Sequence, residues 1–546
     1  MQTFPRGKLS GMRLCTTGCG LGCAFSAIES AGARTRDGTV NRPMDCTMRP
    51  PGKIPNIHPN SMSTRNSLFF SFLDRYASLV ITVVSSMVIA RLLTPAEIGV
   101  FSVTVVLLSF VTSIRDMGAG QYLVQEKELT TERIRAVWAL QLGLGLGLAC
   151  VVLLASYPVA LFYNEPRMRN VMLVVALNYA VNPFGSLTNA WLVREMRFDS
   201  VAIMRFSSVL SGALVATWLA WQKFGPISLA LGSLTATLVN ALVAVYFRPK
   251  SFPWLPGLGE IKRVLSFGSK LTATSLVLDV QNSAPELLLG KLQSLAATGL
   301  YSRAAGLVMM FYRLFVDAVV AVCLPWFARQ SREQGNIVEP FLKATAYITA
   351  LGWSFCVAVI CLAHPIIRVL YGNQWDQSVD LTRLLAVSVA INVPYSLCNT
   401  ALLSSGGVNI IARTTVIVSL QAIVFVAIGA SQGLMALGVT GIMSSAIAAT
   451  FWLRATGKHI GMPIRMMLPT LRQSGLVALS AGVGPGLALW LYGPYPESYL
   501  MPLLLGGVGG LVGFVAGLIA FKHPLAEEIT ALWSAPENAT ALTALS

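Results

Sequence analysis

The sequence predicts an all-α polytopic membrane protein with about fourteen transmembrane helices. These form two six-helix lobes related by a parallel repeat, plus two C-terminal helices. Three observations predict this fold. The 546-residue chain is 54% hydrophobic and only 12% charged, where a soluble domain carries about 25% charged residues. Apolar runs of about 20 residues, each enough to cross a ~30 Å hydrocarbon layer as a helix, recur along it; mean hydropathy is +0.65. The stretch RLLTPAEIGVFS, Arg91 to Ser102, also returns as KLQSLAATGLYS, Lys291 to Ser302.

The elements follow in chain order. Residues 1–61 contain Cys15, Cys19, Cys23 and Cys46 and no long apolar run. They read as a disordered or upstream extension, with MSTRNSLFFSF from Met62 resembling a natural start. They have neither a signal-peptide apolar region nor the His/Cys partners of a zinc site. Spans are expected near 68–90, 98–114, 136–157, 171–192, 206–221 and 227–247, giving a first lobe over 62–247. Residues 248–270, rich in Pro, Trp and bases, read as a cytoplasmic interfacial linker. A second lobe over 271–455 has spans near 271–289, 304–327, 344–367, 381–403, 410–429 and 434–452. Two more spans near 475–491 and 500–521 lie in 456–525, and 526–546 is a cytoplasmic tail. Cys150, Cys323, Cys356, Cys361 and Cys398 lie in or beside apolar runs and imply no disulfide framework.

Net charge is +16. The bases lie between apolar runs, so the positive-inside bias explains them and nucleic acid is not implied. Counted in alternating loops from Met62, Lys and Arg divide 22 to 8, which places both termini in the cytoplasm.

In the repeat, Leu92, Ala96, Gly99 and Ser102 match Leu292, Ala296, Gly299 and Ser302, and Arg91 matches Lys291. The offset of 200 covers six spans, so both halves insert with the same orientation, as in parallel-repeat transporters. This points to a transporter with a central cavity. A membrane enzyme such as a polymerase or ligase would carry a larger external loop with charged catalytic groups. No ATP-binding segment is found, and the glycines of GLGLGLA (143–149) and GGVGGLVGFVAG (506–517) read as helix packing.

Four stretches bear on the family: ARLLTPAEIGVFS, RDMGAGQYLVQ (115–125), LVREMRF (192–198) and LYGNQWDQSVDLTRLLA (370–386). By their order and spacing, residues 62–525 resemble the Wzx-like oligosaccharide flippases, the polysaccharide-export branch of the multidrug/oligosaccharidyl-lipid/polysaccharide exporter superfamily. The resemblance implies two six-helix lobes in a V. It also implies a cargo of oligosaccharide repeat units on undecaprenyl pyrophosphate, moved from the inner to the outer leaflet of a bacterial plasma membrane. Membrane lipids, a polysaccharide polymerase and chain-length machinery are the partners it implies. A cation-coupled drug exporter of the same superfamily is the alternative.

Ionised groups inside the membrane cost at least about 2.5–3.5 kcal/mol each, so they mark cavity sites or partners. Arg75 and Arg313, with neighbouring Asp74 and Asp317, are the candidate substrate contacts, because a guanidinium fork suits pyrophosphate oxygens. Their bland reading is snorkelling for Arg75 and an Arg313–Asp317 pair along one turn. Asp279, Asn282 and Glu286, beside the kink at Pro285, are candidates for coupling to H⁺ or Na⁺; the bland reading is a structural kink with acid–base partners. Arg91 and Lys291 are the candidate outer gate. His364, before Pro365, reads as interfacial. No resident cofactor or metal is expected.

Overall fold

The computed structural model describes residues 64–116, 119–126, 129–249, 252–333 and 335–533. Within them the side chains of 64–75, 266–275 and 313, among others, lie outside the description. The expectation for 1–61 therefore falls outside it. The described residues are helical, with no strand among them.

A first bundle contains α1 (Thr64–Leu92), α2 (Pro95–Asp116), α3 (Ala119–Gln125), α4 (Thr131–Tyr163), α5 (Pro166–Arg194), α6 (Phe198–Trp221) and α7 (Ile227–Phe247). A second contains α8 (Ile261–Leu292), α9 (Leu295–Phe311), a π-helical turn (Tyr312–Val316), α10 (Asp317–Glu333), α11 (Val338–Leu370), α12 (Val379–Asn392), α13 (Cys398–Ser404), α14 (Val408–Gln432) and α15 (Leu434–Ile460). Then come α16 (Met467–Tyr492) and α17 (Leu500–Ala520), which pack on α11, and a short α18 (Pro524–Trp533).

Each of the fourteen expected segments is helical. Among the described residues, eleven helices are long and apolar enough to cross a bilayer, or twelve if the pair Leu295–Val316 and Val319–Glu333, bent by 41°, is one span. The other two segments are α1 and α8, whose side chains are only partly described. Three boundaries differ from the sequence reading. Helix α8 begins at Ile261, inside the expected linker, and α15 runs on to Ile460. The expected tail after 525 contains most of α18.

Local chemistry explains the helix ends. The Thr130 hydroxyl accepts from the Arg133 N–H at 3.3 Å and opens α4, and Asn164 ends it in the left-handed region at φ 55°. The linker is pinned to the first bundle, where Trp138 Nε1 donates to the Trp254 carbonyl at 2.9 Å and the Arg248 guanidinium lies 4.0 Å from the Trp254 ring.

Small residues set the close helix contacts, as expected where lipid supplies no hydrophobic drive between helices. Gly212 packs on Gly232 and Ala236 between α6 and α7, and Gly484 packs on Gly509 between α16 and α17. The glycines of 506–517 thus pack largely as expected. In GLGLGLA, Gly145 packs against Tyr179 and Pro183, while Gly143 and Gly147 meet no neighbour. Alternate glycines point to different sides of a helix, so that motif packs with one residue rather than three.

Candidate gate between the two hairpins

The repeated stretches form two hairpins, α1–α2 and α8–α9, and they meet each other. In the first, Pro95 opens α2. The Thr94 N–H and hydroxyl donate to the Glu97 carboxylate at 2.8 and 2.9 Å, and the Glu97 N–H donates back to the Thr94 hydroxyl at 3.3 Å. This is a capping box. In the second, Ser294 Oγ accepts from the Ala297 N–H at 3.1 Å and opens α9. Helices α2 and α9 then cross at matching glycines. A Cβ on Gly99 would overlap the Leu295 carbonyl oxygen, and a Cβ on Gly299 would overlap the Pro95 carbonyl oxygen. One turn further along, Ser102 Oγ lies 3.0 Å from Ser302 Oγ.

Two cations tie the crossing together from outside it. Arg91 Nη2 donates to the Val369 carbonyl at 2.6 Å, and Lys291 Nζ donates to the Phe162 carbonyl at 2.6 Å. Helices α4 and α11 are each 33 residues long, and Phe162 and Val369 each stand second from the C-terminal end. Each hairpin therefore places its cation on the same point of the same helix in the opposite bundle. That point is rich in unsatisfied carbonyls and carries the negative end of the helix dipole. The candidate gate residues Arg91 and Lys291 are thus placed as a reciprocal pair.

Beneath the cations an apolar cluster spans both bundles, with Ile89, Ala90, Leu93 and Ile98 against Leu300, Leu307, Ile367, Tyr371 and Trp375. Trp375 Nε1 donates to the Ala90 carbonyl at 2.8 Å, and Gln374 Nε2 reaches the same oxygen at 2.5 Å.

The two carboxylates of α8, Asp279 and Glu286, face α2 across the bundle interface. The hydroxyl of Ser102 donates to Glu286, Ser109 Oγ lies 3.3 Å from Ser283 Oγ, and the hydroxyl of Ser113 donates to Asp279. A row of serines on α2 thus meets a row of polar groups on α8. Asp279 and Glu286 share one face as their spacing predicts, whereas Asn282 is exposed. Across that interface α8 packs along α2, α3 and α4, while α1 packs along α6 of its own bundle. Among the described residues no group of three or more His, Cys, Asp or Glu could hold a metal ion.

The side chains of Asp74, Arg75 and Arg313 lie outside the described residues. Arg313 falls in the π-helical turn, and Asp317 opens the helix after it with an exposed side chain. His364, read from the sequence as lying near the membrane–water interface, is buried in α11 with the rings of Tyr495 and Tyr499 at 5.1 and 5.8 Å.

Sequence reasoning missed Arg303, which the loop count treated as an exposed base. It stands two turns into α9. Its Nη1 donates to Ser86 Oγ of α1 at 2.6 Å, and its guanidinium lies 5.7 and 5.9 Å from the Tyr371 and Trp375 rings. It joins three elements at the seal. The available signal was its position directly after the repeated Ser302, inside a helix opened by Ser294.

Comparison with known proteins adds the following. A family profile described as "Polysaccharide biosynthesis protein" matches residues 88–380. The lipopolysaccharide biosynthesis protein WzxC of Escherichia coli (strain K12) is 22% identical over 306 residues, 55% of this chain and 61% of that protein. The succinoglycan biosynthesis transport protein ExoT of Rhizobium meliloti (strain 1021) is 23% identical over 338 residues, 62% of this chain and 68% of that protein. The match to the first of these thus spans less than two thirds of its length. Among solved structures, a lipid II flippase, MurJ, in an inward closed conformation superposes with a TM-score of 0.68 at 13% identity, covering 84% of this chain and 99% of that one. An inward-facing multidrug resistance transporter of the MATE family superposes with a TM-score of 0.57 at 13% identity, covering 74% and 99%. These likenesses concern the fold.

Proposed function

Because the chain belongs to the polysaccharide biosynthesis protein family, we propose that it is a flippase for lipid-linked oligosaccharides. It moves undecaprenyl-pyrophosphate-linked repeat units from the inner to the outer leaflet of a bacterial plasma membrane, and it supplies surface polysaccharide assembly. The observation that carries this reading is the reciprocal seal. Two matching hairpins close one end of the molecule through a glycine crossing and two cation–carbonyl contacts. Such a joint is held by a few polar contacts and a small apolar cluster, so it can open without unfolding either bundle. In this reading both termini are cytoplasmic, the sealed end faces outward and the opposite end receives cargo. Alternating access then needs the seal and the contacts at the other end to open in turn.

Arg75 and Arg313, with Asp74 and Asp317, are the proposed cavity contacts for pyrophosphate and sugar. Asp279 and Glu286, with Asn282, are the proposed coupling groups for H⁺ or Na⁺. Two of the three carboxyl and amide groups already receive hydroxyls across the bundle interface, where a change of charge would alter its strength. A polysaccharide polymerase and chain-length machinery are the proposed downstream partners.

The test uses the full chain in vesicles loaded on one leaflet with the carrier-linked saccharide of its host. Appearance of that saccharide on the far leaflet is expected. If small cationic dyes are exported instead while the carrier-linked saccharide stays in place, the drug-exporter reading replaces this one.

A further inference from the structure

Away from the gate, α3 and α5 form an open groove of about 410 Å³ lined by Gly120, Gln121, Val124, Gln125, Ser186, Asn189, Ala190 and Val193. Its polar groups follow from helical spacing. Gln121 and Gln125 are four apart on α3; Ser186, Asn189 and Val193 recur on one face of α5. Among the described residues, the carboxamides of Gln121, Gln125 and Asn189 make no hydrogen bond to protein, and all three are exposed. Amides turned toward hydrocarbon with no partner would be costly, so this face meets water.

The frame of the pocket is rigid. Arg194 Nη1, at the end of α5, donates to the carbonyls of Leu123 and Glu126 at 2.8 and 2.5 Å, locking the end of α3 onto α5. The Glu126 carboxylate accepts from Arg133 Nη1 of α4 at 3.3 Å. A site held by backbone contacts of this kind loses little freedom when it binds.

Its location is informative. The Phe162 end of α4 carries the seal, so α5 starts at the sealed end and runs away from it. Asn189 is five residues from the far end of α5, about 7.5 Å along its axis. The pocket is therefore near the membrane boundary at the end away from the hairpin seal.

We propose that this pocket binds a neutral sugar residue of the cargo, a reading that rests on the flippase function. None of the lining residues is charged, so the pocket does not suit a phosphate. Each carboxamide offers two donors and an acceptor, and three of them match the mixed donor–acceptor character of sugar hydroxyls. Val124, Ala190 and Val193 supply apolar walls for the C–H face of a pyranose ring. The volume falls in the range of small-molecule sites, roughly 300–1,000 Å³. The pocket selects the sugar on the side from which cargo arrives, and the carrier's pyrophosphate is handled elsewhere. A site built to hydrogen-bond a hydroxyl discriminates against analogues that lack it.

The experiment compares the full-length wild type with the double variant Gln121→Leu/Asn189→Leu, which keeps side-chain bulk. The first probe is the oligosaccharide released by mild acid from the host's own carrier-linked repeat unit, its binding followed by saturation-transfer NMR. The second is sugar-free undecaprenyl pyrophosphate. The double variant should bind the oligosaccharide about tenfold more weakly or worse, from two lost hydrogen bonds, and the sugar-free carrier unchanged. Equal oligosaccharide binding by variant and wild type overturns the proposal. So does equal loss of both probes, which marks structural damage, or a wild type that binds no oligosaccharide at millimolar concentration. Flipping in vesicles separates the two readings. A wild type that binds sugar through these amides but flips nothing keeps the pocket and removes the flippase function. A variant that binds and flips like the wild type removes the pocket alone.

Discussion

A methyl group on Gly99 has nowhere to go, because the Leu295 carbonyl oxygen already occupies its place, and Gly299 is in the same position against Pro95. Backbone on both sides makes the contact, so no side-chain rotation relieves it. Gly99→Ala should therefore force the two hairpins apart. With Ser102→Cys and Ser302→Cys introduced where the two hydroxyl oxygens lie 3.0 Å apart, oxidative cross-linking should be efficient in the parent and fall at least about fivefold with Gly99→Ala. The control is Gly143→Ala, a helical glycine that meets no neighbour within 4 Å. It should leave the yield unchanged and add up to about 0.5–1 kcal/mol of helix stability. Unchanged cross-linking in Gly99→Ala would mean that the two hairpins do not cross in backbone contact. The repeat made these residues visible in the sequence as corresponding positions. That they touch was not visible, since correspondence between halves says nothing about contact across the axis relating them. Arg303 was illegible for a different reason. A base next to a loop looks solvated until the helix it sits on, and the rings of Tyr371 and Trp375 around it, are placed.

At the scale of elements, the apolar runs located a helix at every expected span, and eleven or twelve of these are long and apolar enough to cross a bilayer. Their ends were less legible, since polar residues can extend a helix beyond the hydrocarbon, as Ile261–Lys270 does for α8. The short α18 escaped because ten residues with two acids carry no span signal. Its docking has a titratable element. The Leu525 N–H donates to His523 Nδ1 at 3.2 Å, and Nε2 of the same ring lies 3.2 Å from Ser474 Oγ, which in turn accepts from Thr349 Oγ1 at 2.8 Å. A ring that accepts at Nδ1 must be neutral there, and burial holds the His523 pKa below its ordinary value. A histidine with a lowered pKa stabilises the docked state fully above about pH 6.5, the unperturbed value. That contribution falls as pH drops from there toward the lowered pKa, because the released state takes up the proton more readily. Hydrogen-exchange protection in residues 524–533, corrected for the intrinsic pH dependence of amide exchange, should accordingly fall from pH 7 to pH 5, and His523→Phe should flatten that dependence. A wild-type profile with no break in that window would show that the ring does not titrate with docking.

For the whole molecule, the two cation–carbonyl contacts act on one equilibrium, the sealed against the opened hairpin end. Arg91 and Lys291 lie on opposite bundles and share no partner, so their contributions to that equilibrium should add in free energy. Both cations are exposed, so each contact is assigned the modest net value of an ordinary hydrogen bond, about 1 kcal/mol, or roughly fivefold in population. Arg91→Ala and Lys291→Ala should each raise the opened fraction about fivefold, and the double variant about 25-fold on the same scale. Spin labels at Leu92 and Leu292, the exposed matching residues beside the two cations, would report the change as growth of a longer-distance population. The effect of the two single variants should be similar, because each cation meets the same point of corresponding helices. A strongly unequal pair would mean that the seal is carried by one side, with Arg303 and the Trp375 cluster dominating around α1. A double variant no more open than either single one would mean that the cations stabilise a shared network rather than two separate contacts. Additive opening alone fits a gate in which two matching halves hold each other by the same device used twice.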